Sequence, residues 1–316
     1  MHLPKSKKMR ILLAAFAVVV VGCLALIAFA LAPEKVKTTL VPPLKHPAPA
    51  WYVALGDSYT AAPALYKQIH EFTPGDCFQS NQNYPHRVAA VVKPKSFTDV
   101  SCAGAFTRHL TTAQFTKTGS NAPQADALDE DTALVTIGLS GNDSNLLPLF
   151  FSCAGKPHDA AHPSDCVEKY RSNGQDEFLK SVRQTAPKIE TMLSVVENRA
   201  PNAEVFVVGY PQITPSDGTD CPNEMPFTAA DLTYLDEGIQ ALNAELKSAA
   251  KQHGMTYVDT WTPSKGLNVC APRNKRWIES VVPTSPAFAM HPNPVGESGI
   301  ALAVLKAIRR KAKEIE

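Results

Sequence analysis

None of the chain's seven cysteines forms a CxxC pair, which argues against a zinc site. No acidic residue occurs in the first 32 positions, and Ile11–Ala32 carries no charged side chain. No internal repeat is visible. No aspartate follows Asp259; the acids beyond it are Glu279, Glu297, Glu314 and Glu316. That last absence bears on the chemistry available to any histidine near the carboxyl end.

What remains is an ordinary globular composition with an unusual beginning. The chain has 316 residues, 44% hydrophobic and 19% charged, and a formal charge of +1. Setting aside Lys5, Lys7, Lys8 and Arg10 leaves 27 basic against 30 acidic residues. That balance offers no concentrated basic face, so no nucleic-acid partner is expected. The four basic residues precede Ile11–Ala32, which is about as long as the ~20 residues a helix needs to cross a bilayer. Residues 1–32 therefore read as a signal peptide or membrane anchor, with the rest of the chain exported. Ala28-Phe29-Ala30 offers a cleavage site, and Val20-Val21-Gly22-Cys23 resembles a lipidation box. The length of the run favours a retained helix that tethers the protein to the membrane. Residues 33–50 hold Pro33, Pro42, Pro43, Pro47 and Pro49 and read as an extended linker.

The six cysteines beyond Cys23 suit an oxidising compartment. Pairing neighbours predicts the disulfides Cys77–Cys102, Cys153–Cys166 and Cys221–Cys270.

From Trp51 onward, short apolar runs alternate with amphipathic stretches. Strands are expected at Tyr52–Leu55, Ser96–Val100, Ala133–Ile137, Glu204–Val208 and Thr256–Val258. Helices are expected at Pro85–Val92, Glu177–Asn198, Ala229–His253 and Val295–Glu314. Leu232, Leu235, Ile239, Leu242 and Leu246 recur at the spacing of one buried helix face, with Thr228 as cap and Gly254 as terminator. Alternation of this kind predicts an α/β fold. A mostly parallel five-stranded sheet lies in a flavodoxin-like three-layer α/β/α sandwich, over residues 51–316, preceded by the amino-terminal hydrophobic helix. Ligands in such sheets bind beyond the carboxyl ends of the strands. Long loops at 144–175, 211–227 and 260–290 are expected to wall the site.

Two tripeptides sit at that edge. Gly56-Asp57-Ser58 ends the first strand, and Gly141-Asn142-Asp143 follows the third. His291-Pro292-Asn293 comes near the carboxyl end. A serine hydroxyl needs a base and donors for an oxyanion before it becomes a useful nucleophile. Each piece alone is weak evidence: Ser58 suits a helix cap, and a histidine before proline suits a turn. Asp57 and Asp143 read as local turn acceptors. His158 and His162, four apart but flanked by prolines, read as surface histidines rather than metal ligands. Arg309, Arg310, Lys311 and Lys313 read as a solvated helix end.

In order and spacing, Gly56-Asp57-Ser58-Tyr59-Thr60, Gly104 within Ser101–Ala105, Asn142 and His291 resemble the four blocks of the SGNH hydrolase superfamily, the GDSL-type esterases and lipases. The similarity runs over roughly residues 50–310 and is nearest to the exported, disulfide-containing actinobacterial branch. It implies Ser58 as nucleophile, His291 as base, and an oxyanion hole built from the Ser58 and Gly104 amides and the Asn142 side chain. No metal or organic cofactor is implied.

Two positions depart from the pattern. Ser140 stands where the third block has glycine. Phe288 stands where the last block has an aspartate that orients the histidine. A main-chain carbonyl is expected to take its place, with Phe288 as its source, giving a Ser58–His291 dyad. A neutral orienter favours function at slightly alkaline pH. Replacing Glu279 or Glu297 is then expected to leave turnover intact.

The whole reads as an exported, monomeric serine hydrolase that cleaves lipid or acyl esters of the cell envelope through an acyl-enzyme. A carbohydrate acetyl esterase, an acyltransferase, or a non-catalytic envelope-binding domain on the same fold are the alternatives.

Overall fold

The central apolar runs pair in a parallel sheet because they can bury both faces, and the strands at its two edges are only partly buried. The computed structural model describes residues 49–152, 165–172 and 174–315. Its main strands are β1 (Trp51–Gly56), β2 (Ser96–Asp99), β3 (Leu134–Gly138), β4 (Glu204–Val208) and β5 (Thr256–Val258). They lie in the order β2-β1-β3-β4-β5, every neighbour parallel. Tyr52 to Gly56 and all of β3 are buried at consecutive positions, so the middle of the sheet is covered on both sides. Two short hairpins, Gln68–Ile69 with Gln79–Ser80 and Gln114–Phe115 with Ser120–Asn121, stand outside it.

The helices are α1 (Ser58–Ala61), α2 (Tyr84–Val92), α3 (Gly141–Ser144), α4 (Leu146–Ser152), α5 (Asp165–Tyr170), α6 (Glu177–Arg199), α7 (Ala229–Gln252), α8 (Trp261–Ser264) and α9 (Pro294–Ile315). Helix α7 buries Leu232, Leu235, Ile239, Leu242 and Leu246. The Thr228 side chain accepts the Asp231 amide at its start, and Gly254 follows its end at φ 66°. Helix α6 packs on α7, and α2 packs on α9.

The strand order places a switch point between β1 and β3, where the chain leaves in opposite directions and a crevice opens at the carboxyl edge. Gly56 and Gly138 are register partners there. A side chain on Gly56 would lie 2.2 Å from the Thr60 hydroxyl, which itself bonds the Gly138 carbonyl at 3.1 Å. Small residues at both positions let α1 fold directly onto the strand ends.

Two of the expected disulfides are present, Cys77–Cys102 and Cys221–Cys270, with Cα separations of 4.4 and 5.5 Å. Cys153 and the pairing that involves it lie outside the described residues, as do residues 1–48, His158 and His162. No helix among the described residues is long and apolar enough to cross a membrane. One expectation needs correcting: much of the loop drawn over 144–175 is helical, as α4 and α5. Leu146, Leu149 and Phe150 recur at helical spacing within a short run that reads equally well as loop.

Candidate active site

Serine 58 opens α1, a single turn placed directly on the end of β1. Asp57 caps that turn, its Oδ1 accepting the Tyr59 amide at 2.9 Å. Ser58 is half-buried at the edge of the sheet. Asn142 lies in α3, the single turn that leaves β3. His291 arrives on the loop before α9 and is held there by its backbone: Glu279 N–H donates to the His291 carbonyl at 3.0 Å, and Met290 N–H to the Glu279 carbonyl at 3.1 Å.

The hydroxyl of Ser58 and Nε2 of His291 are 2.8 Å apart, across 233 positions of sequence. On the far side of the ring, Nδ1 is 2.7 Å from the carbonyl oxygen of Ala289. This geometry fits the tautomer in which Nδ1–H donates to Ala289 and Nε2 accepts the Ser58 proton. Burial holds the imidazole below the usual histidine range, while the Ala289 bond pulls it upward. Burial therefore favours the neutral ring over its cation.

The orienting carbonyl belongs to Ala289, not to Phe288 as the sequence reading expected. The Phe288 carbonyl accepts the His291 amide at 3.2 Å, closing a turn in which Met290 stands at φ 61°. That turn points the next carbonyl, not Phe288's, at the ring. Among the described residues no carboxylate lies within hydrogen-bonding distance of His291. Glu297 is buried and accepts the Tyr84 amide at 2.6 Å, and burial pushes it well above the ordinary carboxylate range.

Glu279 acts at a distance from the ring. Its carboxylate is fully buried and receives Arg276 at 2.5 Å, Asn293 at 2.7 Å and the Thr284 amide at 2.8 Å. Burial raises its pKa, but these partners outweigh burial and hold it below the usual range. Arg276, itself buried, also reaches Glu224 at 2.9 Å. Glu279 thus pins the loop that carries His291 without touching the ring, a role in stability rather than in proton transfer.

The Gly104 loop is tied to the end of β1, where Cys102 N–H donates to the Gly56 carbonyl at 3.0 Å. Gly104 adopts φ 75°, a conformation glycine takes without strain, on the loop after β2 that Cys77–Cys102 braces. Among the described residues, neither the Gly104 nor the Ser58 amide has a protein acceptor. The Asn142 amide donates one hydrogen to the Ala105 carbonyl at 2.7 Å, which joins its turn to the Gly104 loop and leaves its second hydrogen unused. Asp143 extends the same joint, accepting the Thr107 amide at 2.7 Å. It bridges two loops and is not a local turn acceptor.

Tyr210 was not anticipated. It follows β4, and its hydroxyl donates to Asp57 Oδ2 at 2.6 Å while accepting the Gly141 amide at 2.6 Å. The position just beyond a parallel strand is the signal that points to it. Burial raises Asp57 to about 6, opposed by its bonds to Tyr210, Tyr59 and Gly141. Ser140, at the position where the resemblance has glycine, stands at φ 136°.

A narrow cleft of about 80 Å³ runs from Ser58 and His291 between α4 and α7. Leu146, Leu147, Pro148, Ile213, Ile239 and Leu242 make its walls apolar. Among the described residues no cluster of histidine, cysteine and carboxylate side chains is arranged to hold a metal.

A serine beside a neutral base, with free amides and an apolar cleft at the same edge, suits acyl transfer from an ester. The GDSL-like Lipase/Acylhydrolase family model matches residues 54–298. Lipase 2 of Streptomyces coelicolor is 35% identical over 268 residues, 81% of this chain and 87% of that protein. An esterase of Streptomyces scabiei is 30% identical over 69% of this chain and 72% of its own. The crystal structure of a phospholipase A1 from Streptomyces albidoflavus superposes with a TM-score of 0.66 at 28% identity, over 82% of this chain and 99% of that one. The chain therefore belongs to the GDSL-like lipase/acylhydrolase family and is a carboxylic-ester hydrolase.

Proposed function

We propose that hydrolysis proceeds through an acyl-enzyme formed on Ser58, with His291 as base and the Ala289 carbonyl as its orienter. The 2.8 Å contact between Ser58 Oγ and Nε2 carries this reading. The Ser58 and Gly104 amides and the Asn142 side chain would receive the oxyanion, and losing one such donor typically costs about 3 kcal/mol of transition-state stabilisation. Water then releases the acid, with His291 acting as base a second time. The apolar cleft supports an acyl chain as its occupant, and the lipase and phospholipase A1 names of similar proteins support lipid or acyl esters, which the amino-terminal segment, read as a tether, would place in the cell envelope.

The two disulfides and the basic-then-apolar amino-terminal segment support export with a tether at residues 1–32, and the even number of cysteines beyond Cys23 supports Cys153–Cys166 as the third pair. Release of 4-nitrophenol from short-chain esters by the full chain, compared with Ser58→Ala, tests the mechanism. Loss of more than 10³-fold is expected, well within the roughly 10⁶-fold fall in kcat that follows removal of a catalytic serine. Turnover undiminished by the substitution would refute the assignment.

A further inference from the structure

His291 lies between two unlike aromatic neighbours. The buried Tyr59 ring is 4.9 Å from the imidazole, and the Phe288 ring meets it edge-on at 6.1 Å. Phe288 is 39% exposed and touches Phe78, also 39% exposed, with ring centroids 5.5 Å apart. Neither phenylalanine lines the apolar cleft. The pair is nonetheless held firmly. The Phe288 amide donates to the Pro63 carbonyl at 3.2 Å. Phe78 follows directly on the Cys77–Cys102 disulfide and stands at φ 50°, a conformation that bulky side chains rarely adopt. Strain of this kind, on a ring that gains little from core packing, collects at functional sites.

We infer that Phe78 and Phe288 form a shelf for the alcohol portion of the ester, favouring leaving groups that carry an apolar ring or chain. The inference rests on the roles proposed above for Ser58 and His291. In acylation Ser58 Oγ bonds the carbonyl carbon and its proton passes to Nε2. The ester carbon–oxygen bond then breaks as Nε2 delivers that proton to the departing oxygen. The departing oxygen must therefore come within hydrogen-bond reach of Nε2. The carbonyl oxygen turns toward Gly104 and Asn142, and the acyl chain enters the cleft. An exposed apolar surface beside the base is the Phe78–Phe288 pair.

Matched esters on the full chain test this: 4-nitrophenyl hexanoate, methyl hexanoate and 4-nitrophenyl acetate. The two hexanoates share one acyl-enzyme, so any difference between them arises in acylation. Phe78→Ala and Phe288→Ala are each expected to lower kcat/KM for the aryl hexanoate roughly tenfold more than for the methyl ester, the low end for lost apolar contact in a site. Phe288→Tyr, which keeps the ring, is expected to restore most of the difference. Equal losses on both alcohols would overturn the inference, leaving the rings as supports for His291. A changed preference between acetate and hexanoate at fixed alcohol would also overturn it, by placing the rings against the acyl chain. Activity that survives Ser58→Ala would instead defeat the underlying mechanism, so the two failures read differently.

Discussion

Tyr210 donates its hydroxyl proton to Asp57 at 2.6 Å, joining the residue before the serine to the end of β4, 153 positions away. The same oxygen accepts the Gly141 amide, so one hydroxyl ties the Ser58 turn to the Asn142 turn. Burial and the Asp57 charge hold the phenol proton in place far into the alkaline range.

Tyr210→Phe removes both bonds and leaves the ring packed. Its effect should fall on kcat, by about tenfold to a hundredfold, because small displacements of oxyanion donors are felt in the transition state. KM is expected to change less than threefold. Steady-state kinetics with one short-chain ester checks this; an unchanged kcat would show that Asn142 is positioned without the bridge.

The acidic limb of the pH profile should reflect two groups. Burial depresses His291 below the usual histidine range and raises Asp57 to about 6. The rate is thus expected to reach its plateau by neutral pH, earlier than the alkaline onset a neutral orienter suggests. Below pH 6 protonation of Asp57 disturbs the Tyr210 bridge as His291 loses its base form, so log kcat/KM should fall with a slope above one. Asp57→Asn should leave a slope of one.

Stability carries the opposite sign for the same carboxyl. Its folded-state value lies above that of the unfolded chain, so its contribution is present at low pH and is lost as pH rises through about 6. Urea midpoints for the native protein and Asp57→Asn should therefore diverge between pH 5 and pH 8, the variant gaining at the higher value.

Replacing Glu279 by Gln should lower stability by about 3 kcal/mol, since it leaves Arg276 buried with its charge only partly matched. Thermal denaturation reads that loss. The acid limb of the activity profile should not move, because Glu279 does not touch the imidazole. A shifted limb would make it part of the proton path.

Ser140→Gly should stabilise the protein by about 1 kcal/mol, because glycine tolerates φ 136° where serine is strained. Chemical denaturation tests it. A neutral or destabilising result would mean that the serine side chain offsets the strain.

Most of the fold was readable because its three central strands are near-continuous apolar runs. Tyr52–Leu55 was expected and Trp51–Gly56 is formed; Thr256–Val258 matches at both ends. The strand order was less accessible, but a serine after β1 and an asparagine after β3 already implied a shared edge. The finer chemistry was hidden for specific reasons. Whether Phe288 or Ala289 faces the ring depends on the left-handed turn at Met290, which no local pattern announces. Glu279 resembles any surface acid until Arg276 is seen buried against it. Tyr210 required knowing which side of β4 faces β1 and β3. Ser140 was recognisable as a departure, but its strain was not.

The pairing of Ser58 with a residue 233 positions later has a bearing on biosynthesis. During synthesis the serine emerges long before the imidazole that activates it. The nascent chain is thus chemically silent toward esters until synthesis has passed residue 291 and the loop that carries the imidazole has reached Ser58. Appearance of turnover in a cell-free translation or refolding reaction therefore times completion of the fold, not the formation of its first strand.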